Sequence, residues 1–263
     1  MQDLKITIVQ PKPAWHAVEK NLAYLSSLIG SKSPETDVIA LPEMFTTGFT
    51  MDSSDMAEHM HGRTHTWMQE EALKIDAAIC GSIIIQENGE FYNRFLWVEP
   101  GGKTAIYDKR HLFRMADENK FYSEGTQPVD ISYKGFKIRP QICYDLRFPV
   151  WARNSVTNNA FAYDILLYVA NWPAARISAW TSLLQARAIE NHAYCLGVNR
   201  VGEDEKGINY NGQSIAFSPK GNMLVKMGNT EGFQTITLNG KSLADYRKQF
   251  PVHLDADNFN LDL

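Results

Sequence analysis

The chain has few cysteines, and their arrangement excludes two classes of protein. Only three of the 263 residues are cysteine, Cys80, Cys143 and Cys195, and none belongs to a CxxC pair. An odd, widely spaced set argues against a disulfide framework and against a zinc site. We therefore expect reduced thiols in a cytoplasmic protein, and no metal site.

Long apolar runs and strongly basic stretches are also missing. No uninterrupted apolar run reaches about 18 residues, so no membrane-spanning helix is expected. The opening residues, Met1-Gln-Asp-Leu-Lys-Ile, lack the basic and apolar regions of a secretory signal. A net charge of −4 and a pI near 6.0 argue against a nucleic-acid partner. Neither a nucleic acid nor a membrane is therefore expected as a partner.

What the chain contains is ordinary material for a globular core. Hydrophobic residues make up 44% of the chain and charged residues 21%, which suits one large domain or two small ones. No internal repeat or linker divides the sequence, so a single domain over 1–263 is expected. Helical and strand-like segments alternate, and hairpin turns such as Asn88-Gly89 argue against an all-parallel sheet. We predict an α/β fold with mixed sheets covered by helices.

Hydrophobic periodicity places the predicted elements. Helices are predicted over 14–30, 64–76 and 178–191, with a last one opened by a capping box at 242–245. Strands are predicted over 5–10, 37–43, 77–85, 91–98, 104–109, 164–171 and 193–201, with a hairpin over 132–144 and two or three strands within 211–238. The segments 44–64 and 110–125 are predicted loops.

Glu43, Lys109 and Cys143 each lie at or just past the end of a predicted strand. Strand ends on one edge of a layered α/β fold converge on a cleft. There the lysine would lower the thiol pKa and stabilise an oxyanion, and the carboxylate would carry a proton from the thiol to a leaving amine. Taken singly, each residue has an ordinary alternative, a buried structural thiol or an exposed surface charge.

The surroundings of Cys143 suggest a tight turn. A strand ends at Ile142, and the segment 150–154 has a helical composition. A cysteine between a strand and a helix would expose its sulfur, and the following N–H groups and helix N-terminus would favour a thiolate.

Three segments resemble the signature segments of the nitrilase (carbon–nitrogen hydrolase) superfamily, in the same order and with fitting spacing: Leu41-Pro-Glu43-Met-Phe45, Tyr107-Asp-Lys109-Arg-His-Leu-Phe113 and Gln141-Ile-Cys143-Tyr-Asp-Leu-Arg-Phe-Pro149. The resemblance extends from the first strand to beyond Val201. Within the superfamily, the segments 108–115, 170–176 and 184–191 are similar to bacterial omega-amidases.

The resemblance implies a four-layer αββα sandwich that forms a homodimer through its helical faces. It implies Cys143 as nucleophile, Glu43 as general base, and Lys109 as the cation that steadies the intermediate beside the backbone N–H of Tyr144. A second catalytic glutamate is expected at Glu118, with Glu124 or plain loop acidity as alternatives. The implied mechanism needs no metal or organic cofactor.

Omega-amidases act on 2-oxo acids with a terminal amide, so the pocket must hold a carboxylate. Arg176 is the first candidate because a guanidinium binds a carboxylate through a two-point fork. Arg147 is the second, unless it pairs with Asp145 or other acids as scaffold. Trp172 and Phe113 are expected to line the pocket, although aromatic residues near strand ends are more often core.

Two kinds of alternative remain open. A nitrilase or an N-carbamoyl amide hydrolase would use the same three residues on another substrate. A catalytically silent scaffold on this fold is the alternative from another class, but such a protein has no chemical reason to keep all three.

Overall fold

Helices and strands alternate along the chain in the computed structural model, which describes residues 2–30, 35–157, 160–257, 259 and 261. The α-helices within these residues are α1 (Val18–Gly30), α2 (Ser53–Met56), α3 (Arg63–Ile75), α4 (Ile177–Asn191) and α5 (Gly240–Gln249). The strands are β1 (Leu4–Gln10), β2 (Val38–Ala40), β3 (Ala78–Glu87), β4 (Glu90–Val98), β5 (Thr104–Asp108), β6 (Ile131–Tyr133), β7 (Phe136–Ile142), β8 (Val156–Thr157), β9 (Ala160–Phe161), β10 (Ile165–Val169), β11 (Tyr194–Val198), β12 (Val201–Glu203), β13 (Asn209–Asn211), β14 (Ile215–Phe217), β15 (Met223–Lys226) and β16 (Gly232–Leu238).

Two six-stranded mixed sheets form the centre of the fold, with strand orders β16-β1-β2-β3-β4-β5 and β15-β14-β11-β10-β7-β6. In the first sheet β2 lies parallel to both β1 and β3, as expected for a βαβ opening. In the second sheet β10 lies parallel to both β7 and β11. The outer pairs are antiparallel hairpins or crossovers. The prediction of mixed sheets is confirmed.

The alternation of side chains along the strands separates the layers. Ile165 and Leu167 of β10 point into an apolar core shared by the two sheets. Their neighbour Leu166 points the other way and packs with Trp180 of α4. The opposite face of the first sheet packs against α1 and α3 through residues such as Leu22. The order of layers is therefore helix, sheet, sheet, helix.

The chain after Cys143 differs from the prediction. Residues 150–154 form no helix, and a 3₁₀ turn over Cys143–Arg147 follows β7 directly. Pro149 explains the difference, because it lacks an N–H donor and disfavours helical backbone at Phe148, whose φ is −113° and ψ is 90°. No α-helix N-terminus therefore stands behind the cysteine.

Helix ends also shift from their predicted positions. Helix α1 begins at Val18, four residues after the predicted start, and the predicted loop 44–64 contains the short helix α2. The cap of α5 is Asn239, whose side-chain oxygen accepts a 2.7 Å hydrogen bond from the N–H of Ser242. The capping box predicted at 242–245 is wrong, because Ser242 already lies inside the helix.

None of the helices in the described ranges is long and apolar enough to cross a membrane. Of the acidic tail after residue 254, residues 258, 260, 262 and 263 lie outside the described residues.

Candidate active site

The carboxyl ends of four strands meet at one cavity of about 470 Å³. Glu43 lies three residues beyond β2, and Lys109 directly follows β5. From the second sheet, Cys143 directly follows β7, and Asn171 lies two residues beyond β10. All four line the cavity, because parallel strands within each sheet end at the same edge. The structure thus brings together the three residues that the sequence singles out.

Three donors on different elements fix the carboxylate of Glu43, which is 1% exposed. Its Oε1 accepts hydrogen bonds from Asn93 Nδ2 at 2.8 Å and from Lys109 Nζ at 2.9 Å. Its Oε2 accepts one from the backbone N–H of Asn171 at 2.9 Å. The loop carrying Glu43 lies close to β3 because position 81 is glycine: a Cβ there would approach Phe45 Cδ1 to 2.8 Å.

Lys109 is equally buried and is held by two carboxylates. Its Nζ lies 2.9 Å from Glu43 Oε1 and 2.9 Å from each oxygen of Glu118. Burial lowers the pKa of Lys109, but the charges of Glu118 and Glu43 outweigh burial, and the pKa ends above its ordinary value. The lysine therefore remains a cation at neutral pH.

Glu118 lies beneath the lysine, away from the cavity lining, and is 0% exposed. The backbone N–H of Phe113 donates a 2.6 Å hydrogen bond to its Oε2. Glu124, the alternative second glutamate, is exposed and pairs with Arg110 at 3.2 Å. Burial raises the pKa of Glu118, and the charge of Glu43 adds to that effect while Lys109 opposes it. Because one ammonium balances only one of the two carboxylates, Glu43 and Glu118 together can take up a proton.

Cys143 lies at the start of the 3₁₀ turn with φ at +42°, a left-handed conformation that non-glycine residues rarely adopt. Its Sγ lies 3.9 Å from the carbonyl oxygen of Asn171. Burial raises the pKa of the thiol well above its ordinary value, and the carboxylate of Glu43 adds to the rise, while Lys109 lowers it. The expected effect of the lysine, to lower the thiol pKa, is present, but burial and Glu43 outweigh it. At rest the sulfur carries its proton, so attack requires a base.

Asp145 connects two parts of the site by hydrogen bonds: the turn that carries Cys143 and the segment that follows Lys109. Its Oδ2 accepts hydrogen bonds from the backbone N–H of Ile142 at 2.9 Å and from Tyr107 Oη at 2.8 Å. Its Oδ1 accepts the backbone N–H of His111 at 3.0 Å and lies 2.8 Å from the imidazole Nδ1 of that residue. One buried carboxylate therefore sets the separation between the thiol and the lysine.

The expected substrate-binding residues, Tyr144, Arg147, Trp172, Arg176 and Phe113, all line the same cavity. Arg147 lies over the ring of Trp172 with its Cζ 5.1 Å from the ring centroid. It does not pair with Asp145, whose partners are named above. Arg176 lies over the ring of Phe113 at 5.4 Å. Trp172 is 3% exposed, and its indole N–H donates a 2.8 Å hydrogen bond to the carbonyl of Arg176, which holds the arginine segment in place.

Several residues that contact or line the cavity were not predicted from the sequence. Asn93 is a buried amide within the apolar strand β4, and Asn171 follows a strand just as Glu43 does. In both cases a polar residue in or just after an apolar run was the available signal. The hairpin β12–β13 also lines the cavity, through Asp204, Lys206, Ile208 and Tyr210. Nothing in its local sequence indicates that location.

No group of three or more His, Cys, Asp or Glu side chains in the described parts of the chain is arranged to hold a metal ion.

Known proteins are similar to this chain along nearly its whole length. A family model described as Carbon-nitrogen hydrolase matches residues 5–248. The omega-amidase YafV of Escherichia coli (strain K12) is 44% identical over 264 residues, covering 99% of this chain and all of the relative. The 2-oxoglutaramate amidase of Bacillus subtilis (strain 168) is 32% identical over 90% of this chain and 91% of the relative.

A solved structure has nearly the same backbone. The protein XC1258 from Xanthomonas campestris, described as a CN-hydrolase superfamily protein with an arsenic adduct in the active site, superposes with a TM-score of 0.97. It is 40% identical, and the match covers all of both chains.

Proposed function

The chain belongs to the carbon–nitrogen hydrolase family, and we propose that it is an omega-amidase. The proposed reaction hydrolyses the terminal amide of a 2-oxo acid, such as 2-oxoglutaramate or 2-oxosuccinamate, to the dicarboxylate and ammonia. One observation carries the proposal. The thiol of Cys143, the charged cluster of Glu43 and Lys109, and the guanidinium of Arg176 line one cavity. The relatives named above as omega-amidase and 2-oxoglutaramate amidase support the same substrate class.

In the proposed first half-reaction, Cys143 Sγ attacks the amide carbon while Glu43 accepts the thiol proton. The raised thiol pKa supports this order, because a neutral thiol needs a base at the moment of attack. Lys109 and the backbone N–H of Tyr144 stabilise the negative oxygen of the tetrahedral intermediate. Glu43 then passes its proton to the leaving nitrogen, ammonia departs, and a thioester remains.

In the second half-reaction, a water attacks the thioester carbon while Glu43 accepts a proton from that water. The second tetrahedral intermediate collapses, the carbon–sulfur bond breaks, and the thiol regains its proton from Glu43. Glu118 is proposed to keep Lys109 charged and in position through its two 2.9 Å contacts. No step requires a metal or an organic cofactor.

Arg176 is the proposed partner of the substrate carboxylate, and Arg147 is the second candidate. Both guanidinium groups lie over aromatic rings, Phe113 and Trp172 respectively, which leaves their edges available for a two-point contact. A substrate carboxylate bound by either arginine would hold the amide in the cavity that Cys143 also lines.

We also infer that residues 1–263 form one domain that dimerises through its helical faces in the cytoplasm. The apolar core shared by the two sheets supports one domain. Exposed apolar side chains on the outer surface, Ile189 at 47%, Phe250 at 53% and Leu254 at 70%, support a partner subunit there. Three free cysteines support a reducing compartment.

The test is ammonia release from 2-oxoglutaramate and 2-oxosuccinamate, compared with glutamine, a simple nitrile and N-carbamoyl-β-alanine. We expect strong preference for the two oxo-acid amides. Release from another substrate alone would keep the Cys143 chemistry and overturn the substrate assignment. No release from any of the five would favour the scaffold alternative.

A further inference from the structure

The hairpin β12–β13 brings a part of the chain far from the signature segments to the cavity. Its strands pair antiparallel, with Gly202 opposite Tyr210 and Glu203 opposite Asn209. The residues that line the cavity lie at its tip and on β13. They include Lys206, a cation about 30 residues further along the chain than Arg176.

The tip is a fixed structure, because Asp204 ties it together. This carboxylate is 8% exposed. Its Oδ1 accepts the backbone N–H groups of Lys206 at 2.9 Å and Ile208 at 3.0 Å. Its Oδ2 accepts the hydroxyl of Tyr210 at 3.0 Å. These bonds hold the backbone of Lys206 in one place at the mouth of the cavity.

A buried cation supports the hairpin from below. Arg200 is 1% exposed, and its guanidinium lies 4.8 Å from the centroid of the Tyr210 ring. Its Nε donates a 3.2 Å hydrogen bond to the carbonyl of Val201. Asp204 keeps its negative charge, but its two oxygens are engaged by the hairpin backbone and by Tyr210, and it forms no ion pair with the side chain of Lys206.

Three cations therefore line the same cavity, and we name Arg147, Arg176 and Lys206 the cationic rim. None of them takes part in an ion pair with any other described residue. An isolated surface lysine is usually no more than a solvated charge. Three unpaired cations on the wall of one cavity form an anion-attracting field instead.

We propose that Lys206 is a specificity-determining residue that, together with Arg176, selects substrates carrying a carboxylate and no ammonium. The inference rests on the proposed function and extends it to the choice between 2-oxo acids and 2-amino acids. A 2-oxo acid amide presents a carboxylate and a carbonyl oxygen, both acceptors for the rim. Glutamine presents the same carboxylate beside an ammonium group, which the rim repels.

The experiment compares Lys206→Met with Lys103→Met as a matched control. Lys103 is an exposed lysine on the turn between β4 and β5, paired with Glu99 at 3.3 Å and absent from the cavity lining. For 2-oxoglutaramate we expect KM to rise about 5-fold in Lys206→Met with kcat nearly unchanged. A neutral aliphatic amide of the same length should show no change. Added salt should raise KM for the acid less in Lys206→Met than in the wild type, because the rim is exposed and screened.

A binding measurement separates failure of this inference from failure of the proposed function. Glutarate, a dicarboxylate that contains no amide, is titrated calorimetrically into the wild type, Lys206→Met and Lys103→Met. Weaker binding in Lys206→Met alone, about 5-fold in Kd, supports the rim even if no oxo-acid amide is hydrolysed. Unchanged KM and Kd in Lys206→Met would overturn the inference while leaving the omega-amidase proposal intact. An equal change in Lys103→Met would overturn it as well.

Discussion

Two groups of charges line the cavity, one buried and paired, the other unpaired and at least partly exposed. Lys109 and Glu43 are each 1% exposed and contact one another directly. Arg147 and Lys206 of the cationic rim are exposed, and Arg176 is half-buried. A buried charge must be paired to be tolerated, and its partners fix its position. An exposed unpaired charge costs little and stays available for a ligand. We therefore expect the first region to govern the chemical step and the second to govern substrate choice.

The largest expected effect is the loss of the proposed nucleophile. Cys143→Ala should lower kcat by about 10⁶-fold, the scale observed when a nucleophile is removed. The fold should remain, because alanine keeps the Cβ at this left-handed position. Ammonia release measures the first expectation, and circular dichroism with thermal unfolding measures the second. Retained turnover in a folded variant would remove the nucleophile assignment.

Removing the buried cation Lys109 should lower the stability of the protein far more than removing a cation of the rim. Lys109→Met leaves Glu43 and Glu118 without their shared partner, so the free energy of unfolding should fall by about 3–5 kcal/mol. Arg176→Met, in the unpaired cationic rim, should change the free energy of unfolding by no more than about 0.5 kcal/mol. Denaturant titration of the two variants provides the comparison. Similar losses in both variants would mean that the buried pair and the cationic rim contribute equally to the free energy of unfolding.

Loss of the anchoring carboxylate should lower the rate rather than substrate affinity. In Asp145→Asn one oxygen becomes a donor that faces other donors, so the Cys143 turn should shift relative to Lys109. We expect kcat to fall about 10²-fold, the scale for a misplacement of about 1 Å, with KM within about 2-fold of the wild type. Steady-state kinetics of the variant measures both constants. A rise in KM with kcat preserved would assign Asp145 to substrate binding instead.

Loss of Arg176 should raise KM and leave kcat nearly unchanged, the reverse of the effect expected for Asp145→Asn. Arg176→Ala should raise KM for 2-oxoglutaramate about 10- to 100-fold, because a charge-assisted hydrogen bond contributes about 1.5–3 kcal/mol. The value of kcat should change much less, since the charged cluster around Lys109 is untouched. An unchanged KM would place the carboxylate elsewhere, and Arg147→Ala is then the next variant.

The smallest expected effect is a shift in the pH dependence of alkylation. Burial and the charge of Glu43 raise the pKa of the Cys143 thiol, so iodoacetamide should react slowly at neutral pH and faster as the pH rises. Glu43→Gln removes one of the charges that raise this pKa, and the profile should therefore move to lower pH. Cys80 and Cys195, both 0% exposed, should stay unreactive until the protein unfolds. A profile that moves to higher pH in Glu43→Gln would contradict the proposed interaction.

The positions of Glu43, Lys109 and Cys143 at strand ends could be predicted from the sequence, because they depend on local patterns. An apolar run that stops before a carboxylate marks β2, and β5 and β7 end directly before Lys109 and Cys143. The helix predicted at 150–154 is absent because Pro149 disfavours helical backbone at Phe148, a constraint that the composition of the next five residues does not contain. The predicted cap at Ser242 lies three residues after the observed cap, because Asn239 also provides a capping oxygen.

The sequence by itself determined the order of elements, the mixed sheets and the identity of the residues that end each strand, because alternation and turn residues act over a few neighbours. Only the tertiary structure decided how those ends meet. The choice of Glu118 over Glu124 beside Lys109 depends on how one loop folds back on a strand end. The raised thiol pKa depends on burial. The presence of Lys206 and Arg176 on one cavity brings together elements about 30 residues apart. Such distances and desolvation arise from packing, and no local pattern encodes them.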